Sequence, residues 1–233
     1  MNVSVISNLM KVNDRLAVAN RERLDEYQIK AVNMISSPGS GKTALLQRTL
    51  AALAGEYRCA VLVGDLATSR DAERLASVDV PIIQINTGKG CHLDAGQINQ
   101  GLDQLYLDQL DILFIENVGN MVCPSQFDLG EHVKVAMMSL PEGDDKVAKY
   151  PILFQKADCV ILNKLDLCSA MAFDMSQFED DLRHVNDAIP VFPLSAMTGE
   201  GMAAWLNWLR SLVSGPLSEL RNQRSSELTL FEV

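Results

Sequence analysis

Histidine is scarce in this 233-residue chain, with three in all, and cysteine is hardly commoner, with five. The cysteines are odd in number, widely spread and without a CxxC pair. That excludes a disulfide framework of the secreted kind and fits a reducing, cytoplasmic setting, where a cysteine is core filler or a ligand. No apolar run approaches the roughly 20 residues that cross a bilayer. The N-terminus, MNVSVISNLMKVNDRLAVANRERL, mixes charged and apolar residues throughout, unlike a secretory signal. Positive charge is short as well: 20 Lys and Arg stand against 30 Asp and Glu, a net charge of −10. That balance argues against nucleic acid or a membrane surface as the main partner, yet leaves room for a phosphate in a local pocket, or for a cation. Neither repeats nor a low-complexity linker divides the chain. Its length suits one domain over 1–233, with an N-terminal helix within 1–28 and a loose tail at 223–233.

What is present is alternation. Val5, Leu9, Val12, Leu16, Ala19 and Leu24 recur at helical spacing, which predicts a helix lying with that face against the domain or a partner chain. From residue 30 onward, apolar strand-like runs at 31–36, 60–64, 81–86, 112–116, 133–139, 159–163 and 190–195 alternate with helical stretches such as 43–54, 93–107 and 175–185. Runs apolar on both faces are the mark of parallel strands covered by helices, so the expected fold is a doubly wound α/β domain. The run 133–139 is the exception. It follows 112–116 without an obvious crossover helix and is expected to pair antiparallel.

The stretch NMISSPGSGKTALLQ (33–47) reads as strand, Gly/Ser/Pro loop and helix. It departs from G-x-x-x-x-G-K-[ST] only at its first position, where Ser36 replaces glycine. Gly39 and Gly41 let backbone N–H groups turn toward phosphate oxygens, so Pro38, Gly39, Ser40, Gly41 and Ala44 form the expected cradle, and the following helix aims its positive end at the same anion. Lys42 can reach the outer phosphates, and the Thr43 hydroxyl can ligate Mg²⁺. The plainer alternative is a Gly-rich turn with an exposed lysine. Asp65 in VGDLATSRDAERL, and Glu116 and Gly119 in LFIENVGN, stand just past strand ends, where a parallel sheet gathers its ligand. Asp65 is the candidate for a magnesium contact and for orienting water, a role compatible with capping a helix at Ala67. Lys42, Asp65 and Glu116 form the expected catalytic set, acting by positioning and charge neutralisation. The Gly119 N–H can sense the outer phosphate.

At the end of another strand run, VILNKLDL (160–167) carries Asn163, Lys164 and Asp166. The Asp166 carboxylate can accept from both the ring N–H and the exocyclic amine of guanine, donors that adenine lacks there. Lys164 can lay its stem over the base, and Ser195 and Ala196 in VFPLSAMTGEG can offer backbone N–H groups to the base carbonyl. Alone, this pattern is also consistent with a capping Asn and a surface Lys/Asp turn. Following a phosphate loop, it points to GTP and GDP. Cys91 and His92, in GKGCHLDA (88–95), and Cys123, in NVGNMVC, follow strand runs too. If those strands are parallel, two thiolates and an imidazole converge near the phosphates, a set suited to Zn²⁺ and able to take Ni²⁺. Three ligands leave a tetrahedral site one short, to be completed by water or by a cysteine of a second chain. Core filling remains the ordinary alternative for a cysteine. Cys59 and Cys159 fall at strand starts, away from the crevice. Cys168 follows the base-recognition loop and can line the guanine site, though core packing is the expectation; His132 is a weak further ligand and His184 a solvated helix residue.

The motifs SSPGSGKT, GDLATSRDA, NTGKGCHLDA, ENVGNMVCPSQFDLGE, PEGDDKVAKYP and NKLDL, in this order, resemble those of the HypB family, GTPases that help insert nickel into [NiFe]-hydrogenase. The resemblance runs from the N-terminal helix to the SAMTGEG loop. Its most specific parts are GCHLDA and NVGNMVCPSQFDLGE, which ordinary GTPases lack. It implies a P-loop GTPase that forms a nucleotide-dependent homodimer and binds Ni²⁺ or Zn²⁺ through Cys91, His92 and Cys123. It also implies transfer of nickel to hydrogenase maturation proteins and the hydrogenase large-subunit precursor, and it lets Lys146 or Lys149 reach a nucleotide in the partner chain. An N-terminal cysteine cluster and a His-rich tract, seen in some members, are absent, so bulk nickel storage is excluded. The alternatives from other classes are a metal-binding scaffold that holds nucleotide without turnover, and a P-loop kinase or ATPase, against which NKLD argues.

Overall fold

The structure is a computed structural model that describes residues 3–65, 75, 78–88 and 90–215, with side chains from residue 10 onward. The tail at 223–233 and a helix cap by Asp65 at Ala67 lie outside the described residues. In chain order the elements are α1 Val3–Glu26, β1 Lys30–Ser36, α2 Lys42–Leu53, β2 Cys59–Asp65, β3 Ile82–Asn86, α3 Ala95–Leu102, β4 Ile112–Glu116, α4 Cys123–Gln126, β5 Val133–Ser139, α5 Lys146–Lys149, α6 Pro151–Lys156, β6 Cys159–Asn163, α7 Met175–Val185, β7 Val191–Pro193 and α8 Met202–Ser214. Short 3₁₀ turns lie at Leu107–Gln109, Leu140–Glu142 and Leu165–Ala170.

Seven strands form one sheet in the order β3-β2-β4-β1-β5-β6-β7, parallel at every pairing. β1, β4 and β5 are buried along their whole length, as their unbroken apolar runs require. Successive side chains of β1 enter opposite cores. Val32 and Met34 pack with Leu45, Leu46 and Leu50 of α2 and Trp205 and Leu209 of α8. On the other face, Ala31 joins Leu24 of α1 and Ile98 and Leu102 of α3, while Ile35 joins Phe154 and Phe178 of α6 and α7. No described helix is long and apolar enough to cross a membrane. This is a doubly wound α/β build, a parallel sheet with helices on both faces.

Three local expectations are corrected. β5 pairs parallel, not antiparallel, with β1 through Val32↔Val133 and its successors. The crossover from β4 is an irregular segment holding only the four-residue α4, which no helical periodicity announces. The helix expected over 93–107 is confined to Ala95–Leu102, because Asp94 and Gln97 form a capping box that starts it at Ala95. In α1 the expected face is turned outward at Val12, 53 % exposed, while Asn13, Ala17, Asn20 and Leu24 are buried. The asparagines are inside because backbone groups need them. Asn13 accepts from Ala95 N at 2.9 Å and donates to Asp128 O at 2.9 Å; Asn20 donates to Ala95 O at 2.8 Å and Leu129 O at 3.0 Å.

Candidate nucleotide cleft and metal cluster

The carboxyl ends of β1, β2 and β4 open into a cleft of about 520 Å³, bordered among others by Pro38, Thr43, Asp65, Glu116 and Gly119. β1 ends at Ser36, the chain turns through Gly39 at φ 79° and Gly41 at φ 98°, and α2 begins at Lys42. Left-handed backbone at these points suits glycine alone without strain. Gly41 has a second reason: a Cβ there would stand 2.5 Å from the Asn163 amide nitrogen. Ser36 does more than fill a position that is usually glycine, because its hydroxyl accepts from Lys42 Nζ at 2.7 Å and lies against the Ser40 hydroxyl. The lysine is buried and drawn back over the loop. Thr43 Oγ1 donates to Glu116 Oε1 at 2.7 Å, and Asp65 borders the same space. These are hard oxygen donors, and the set fits Mg²⁺. Gly119 crosses directly over Pro38, where a Cβ would meet the proline ring at 3.0 Å.

The loops after β6 and β7 complete the other end of the cradle. Asn163 is buried, with Nδ2 donating to Ser40 O at 2.8 Å and Oδ1 accepting from Ala196 N at 2.9 Å. It therefore ties the phosphate loop to the loop after β7. Lys164, at φ 65°, reaches Gly39 O at 2.7 Å. The Asp166 carboxylate receives the Ser195 hydroxyl. The backbone N–H groups of Ser195 and Ala196 are engaged inside the protein, with Glu200 O at 2.9 Å and with Asn163, so a base carbonyl would have to share or displace those bonds.

Beside the cleft, the donor atoms of Cys91, His92 and Cys123 lie within 4.8 Å of one another. β3 delivers the first two and β4 the third, which starts α4. Cys91 Sγ and His92 Nδ1 are 3.5 Å apart, and the His92 ring packs on Phe127 with centroids 4.0 Å apart. Burial lowers the His92 pKa against the pull of Asp94, which keeps the imidazole in its neutral, ligating form. A hydrogen bond with the Cys123 thiol is the main cause of a raised Cys91 pKa; burial, and then repulsion between the two thiolates, add to it. A cation removes that repulsion and draws off the proton. The arrangement is a compact, partly exposed N/S site of three donors.

Other candidates separate from this centre. His132 is buried at the opposite end of the sheet, paired with Asp25 at 2.9 Å, and is no ligand here. Cys168 is exposed, not in the core, because the 3₁₀ turn Leu165–Ala170 buries none of its side chains. Cys59 and Cys159 open β2 and β6, far from the cleft, and His184 is exposed on α7. Lys149 pairs with Asp145 on the surface, and Lys146 stands 5.3 Å from the Tyr150 ring. Sequence reasoning missed Asn33, Asn117, Glu131 and Lys134, all buried polar residues, of which Asn117 borders the cleft. The one available signal was a polar residue inside an otherwise apolar strand, as at Asn33 in AVNMIS and Lys134 in VKVAMMS.

Residues 30–193 match the family described as CobW/HypB/UreG, nucleotide-binding domain. The hydrogenase maturation factor HypB of Escherichia coli (strain K12) is 48 % identical over 204 residues, 88 % of this chain and 70 % of that protein. The probable hydrogenase maturation factor HypB of Methanocaldococcus jannaschii is 37 % identical over 91 % of this chain and 96 % of its own length. Among solved structures, HypB from Helicobacter pylori in complex with nickel superposes with a TM-score of 0.83 at 38 % identity, over 87 % of this chain and 95 % of that one. With its phosphate loop, NKLD strand end and Cys/His/Cys cluster in these places, the chain belongs to the HypB family within the CobW/HypB/UreG nucleotide-binding domains.

Proposed function

We propose that the protein hydrolyses GTP and carries nickel for [NiFe]-hydrogenase maturation, with nucleotide-dependent pairing of two chains controlling release of the metal. The observation that carries this reading is proximity: the Cys91, His92 and Cys123 donors stand on loops leaving β3 and β4, the same sheet ends that border the phosphate cleft. Zn²⁺ fits the same donors as a competitor. The relatives' common name, hydrogenase maturation factor, supplies the pathway, and with it maturation proteins and the hydrogenase large-subunit precursor as partners.

Hydrolysis needs no covalent intermediate. Lys42 leaves Ser36 to neutralise the outer phosphates, and the N–H groups from Gly39 to Ala44 hold their oxygens. Mg²⁺, when bound at Thr43, supplies charge neutralisation of the phosphates. Asp65 orients a water in line with the outer phosphorus. The new P–O bond forms as the bond to the diphosphate breaks, giving GDP and phosphate. Gly119 N–H faces the outer phosphate, and Asp166 with Lys164 holds guanine. No arginine is placed as a finger in the described part of the cleft, so turnover is slow.

Single-turnover hydrolysis of GTP with Mg²⁺ tests the reading. Lys42→Ala is expected to abolish turnover, and Asp65→Ala to lower it about 10²-fold or more with GTP affinity little changed. Wild-type rates in Asp65→Ala would remove its assigned role. Absence of turnover in the unaltered protein would leave a scaffold that only holds nucleotide.

A further inference from the structure

From Asn117, which borders the cleft, a buried polar chain runs into the interior. The Asn117 side-chain oxygen accepts from Val118 N at 3.0 Å and from Leu93 N at 3.2 Å. Its Nδ2 donates to Asn33 Oδ1 at 3.3 Å, and Asn33 Nδ2 donates to Glu131 Oε1 at 3.4 Å. Glu131 accepts from Leu129 N at 2.7 Å and stands 3.4 Å from Lys134 Nζ, which in turn reaches Ser125 O at 3.5 Å and Phe127 O at 3.3 Å. The relay thus begins next to His92 and ends two and four residues past Cys123. Asn117, Asn33, Glu131 and Lys134 are at most 6 % exposed.

The orientation of each carboxamide follows from its donors. Two backbone N–H groups face Asn117, so its oxygen must face them; its nitrogen then faces Asn33, whose nitrogen must face Glu131. Burying four such side chains is costly relative to an apolar core, and a fully satisfied network of this kind fixes one arrangement. The shared acceptor is the informative feature. Val118 precedes Gly119, the residue that crosses over the phosphate loop, and Leu93 follows the metal donor His92. A shift of the Val118–Gly119 backbone toward an outer phosphate moves the same oxygen that anchors the metal loop.

We infer that Asn117 is a positioning residue that couples the phosphate-facing loop to the Cys91–His92 loop through one carboxamide oxygen accepting from Val118 and Leu93. This role rests on the proposed link between nucleotide and metal. Asn117 touches no metal. It ties the metal loop to β4, and so makes the closing of the three donors on one cation follow the nucleotide state.

The test is Ni²⁺ affinity of the full chain with a non-hydrolysable GTP analogue and with GDP. The unaltered protein should show a ratio of about tenfold between the two states. In Asn117→Ala the ratio should fall to within about twofold of one, while the Co²⁺-substituted protein keeps its thiolate charge-transfer band, because the ligands are intact. An unchanged ratio in Asn117→Ala, beside a clear ratio in the unaltered protein, overturns the role of Asn117 alone. A ratio of one in the unaltered protein overturns the nucleotide–metal link and this inference with it. If Asn117→Ala does not fold, amide hydrogen exchange at Leu93 in the unaltered protein decides: different protection with analogue and GDP supports the connection, and equal protection overturns it.

Discussion

Asn163 spends its whole side chain inside the protein, on Ser40 O and Ala196 N. Asp166 of the NKLD turn is exposed, with the Ser195 hydroxyl steadying one oxygen, and is the proposed partner of the base. A carboxylate selects guanine because guanine presents two donors side by side, and a carboxamide replaces one acceptor with a donor. Asp166→Asn should therefore lose about 2–3 kcal/mol of GTP affinity, with ATP scarcely affected. Competition binding of GTP against ATP checks it. Equal affinity for both nucleotides in the unaltered protein would contradict guanine recognition at this turn.

α1 is an element whose work is done by polar residues. Asn13 and Asn20 bolt it to Ala95, behind the Cys91–His92 loop, and to Asp128 and Leu129, behind Cys123. Its far end is pinned by His132, whose Nδ1 accepts from Ala31 N at 2.9 Å and whose Nε2 faces Asp25. Burial lowers the His132 pKa, the Asp25 carboxylate resists that shift, and Arg21 and Lys30 add to it. A histidine held neutral in the fold binds a proton more readily when unfolded. Stability should thus be full above the ordinary value near 6.5 and decline as pH falls through and below it. Denaturant unfolding across pH 5 to 8 reads this, and His132→Asn, which keeps an acceptor in place of Nδ1, should flatten the decline. An equally steep decline in that variant would place the sensitivity elsewhere. The strands and the phosphate loop of this fold were legible in sequence, since two-faced apolar runs and Gly-rich strand ends have direct physical causes. The packed face of α1 was not, because Asn13 and Asn20 are buried for backbone hydrogen bonds and not for hydrophobicity. The direction of β5 was hidden by an irregular crossover. The Cys/His/Cys cluster was legible only on condition that β3 and β4 run parallel, and the relay through Asn33 and Asn117 was not legible at all, since it joins residues distant in sequence by single hydrogen bonds.

At the scale of the molecule, the carboxyl edge of one sheet carries a phosphate cradle and, beside it, a three-donor site with Cys91 exposed. Three donors leave a tetrahedral cation one ligand short, and an exposed thiol at that site is accessible to a second chain. In the proposed cycle GTP pairs two chains and closes a shared site, and hydrolysis parts them and opens it. Linkage requires reciprocity, so metal must favour the GTP-bound pair as much as GTP favours metal. The most direct measurement is native mass spectrometry of the nickel-loaded protein with a non-hydrolysable GTP analogue and with GDP, reading oligomer mass and metal content together. A dimer that retains nickel with the analogue, and a monomer depleted of nickel with GDP, is the expected result; the same mass and the same nickel content in both states would contradict nucleotide control of the metal.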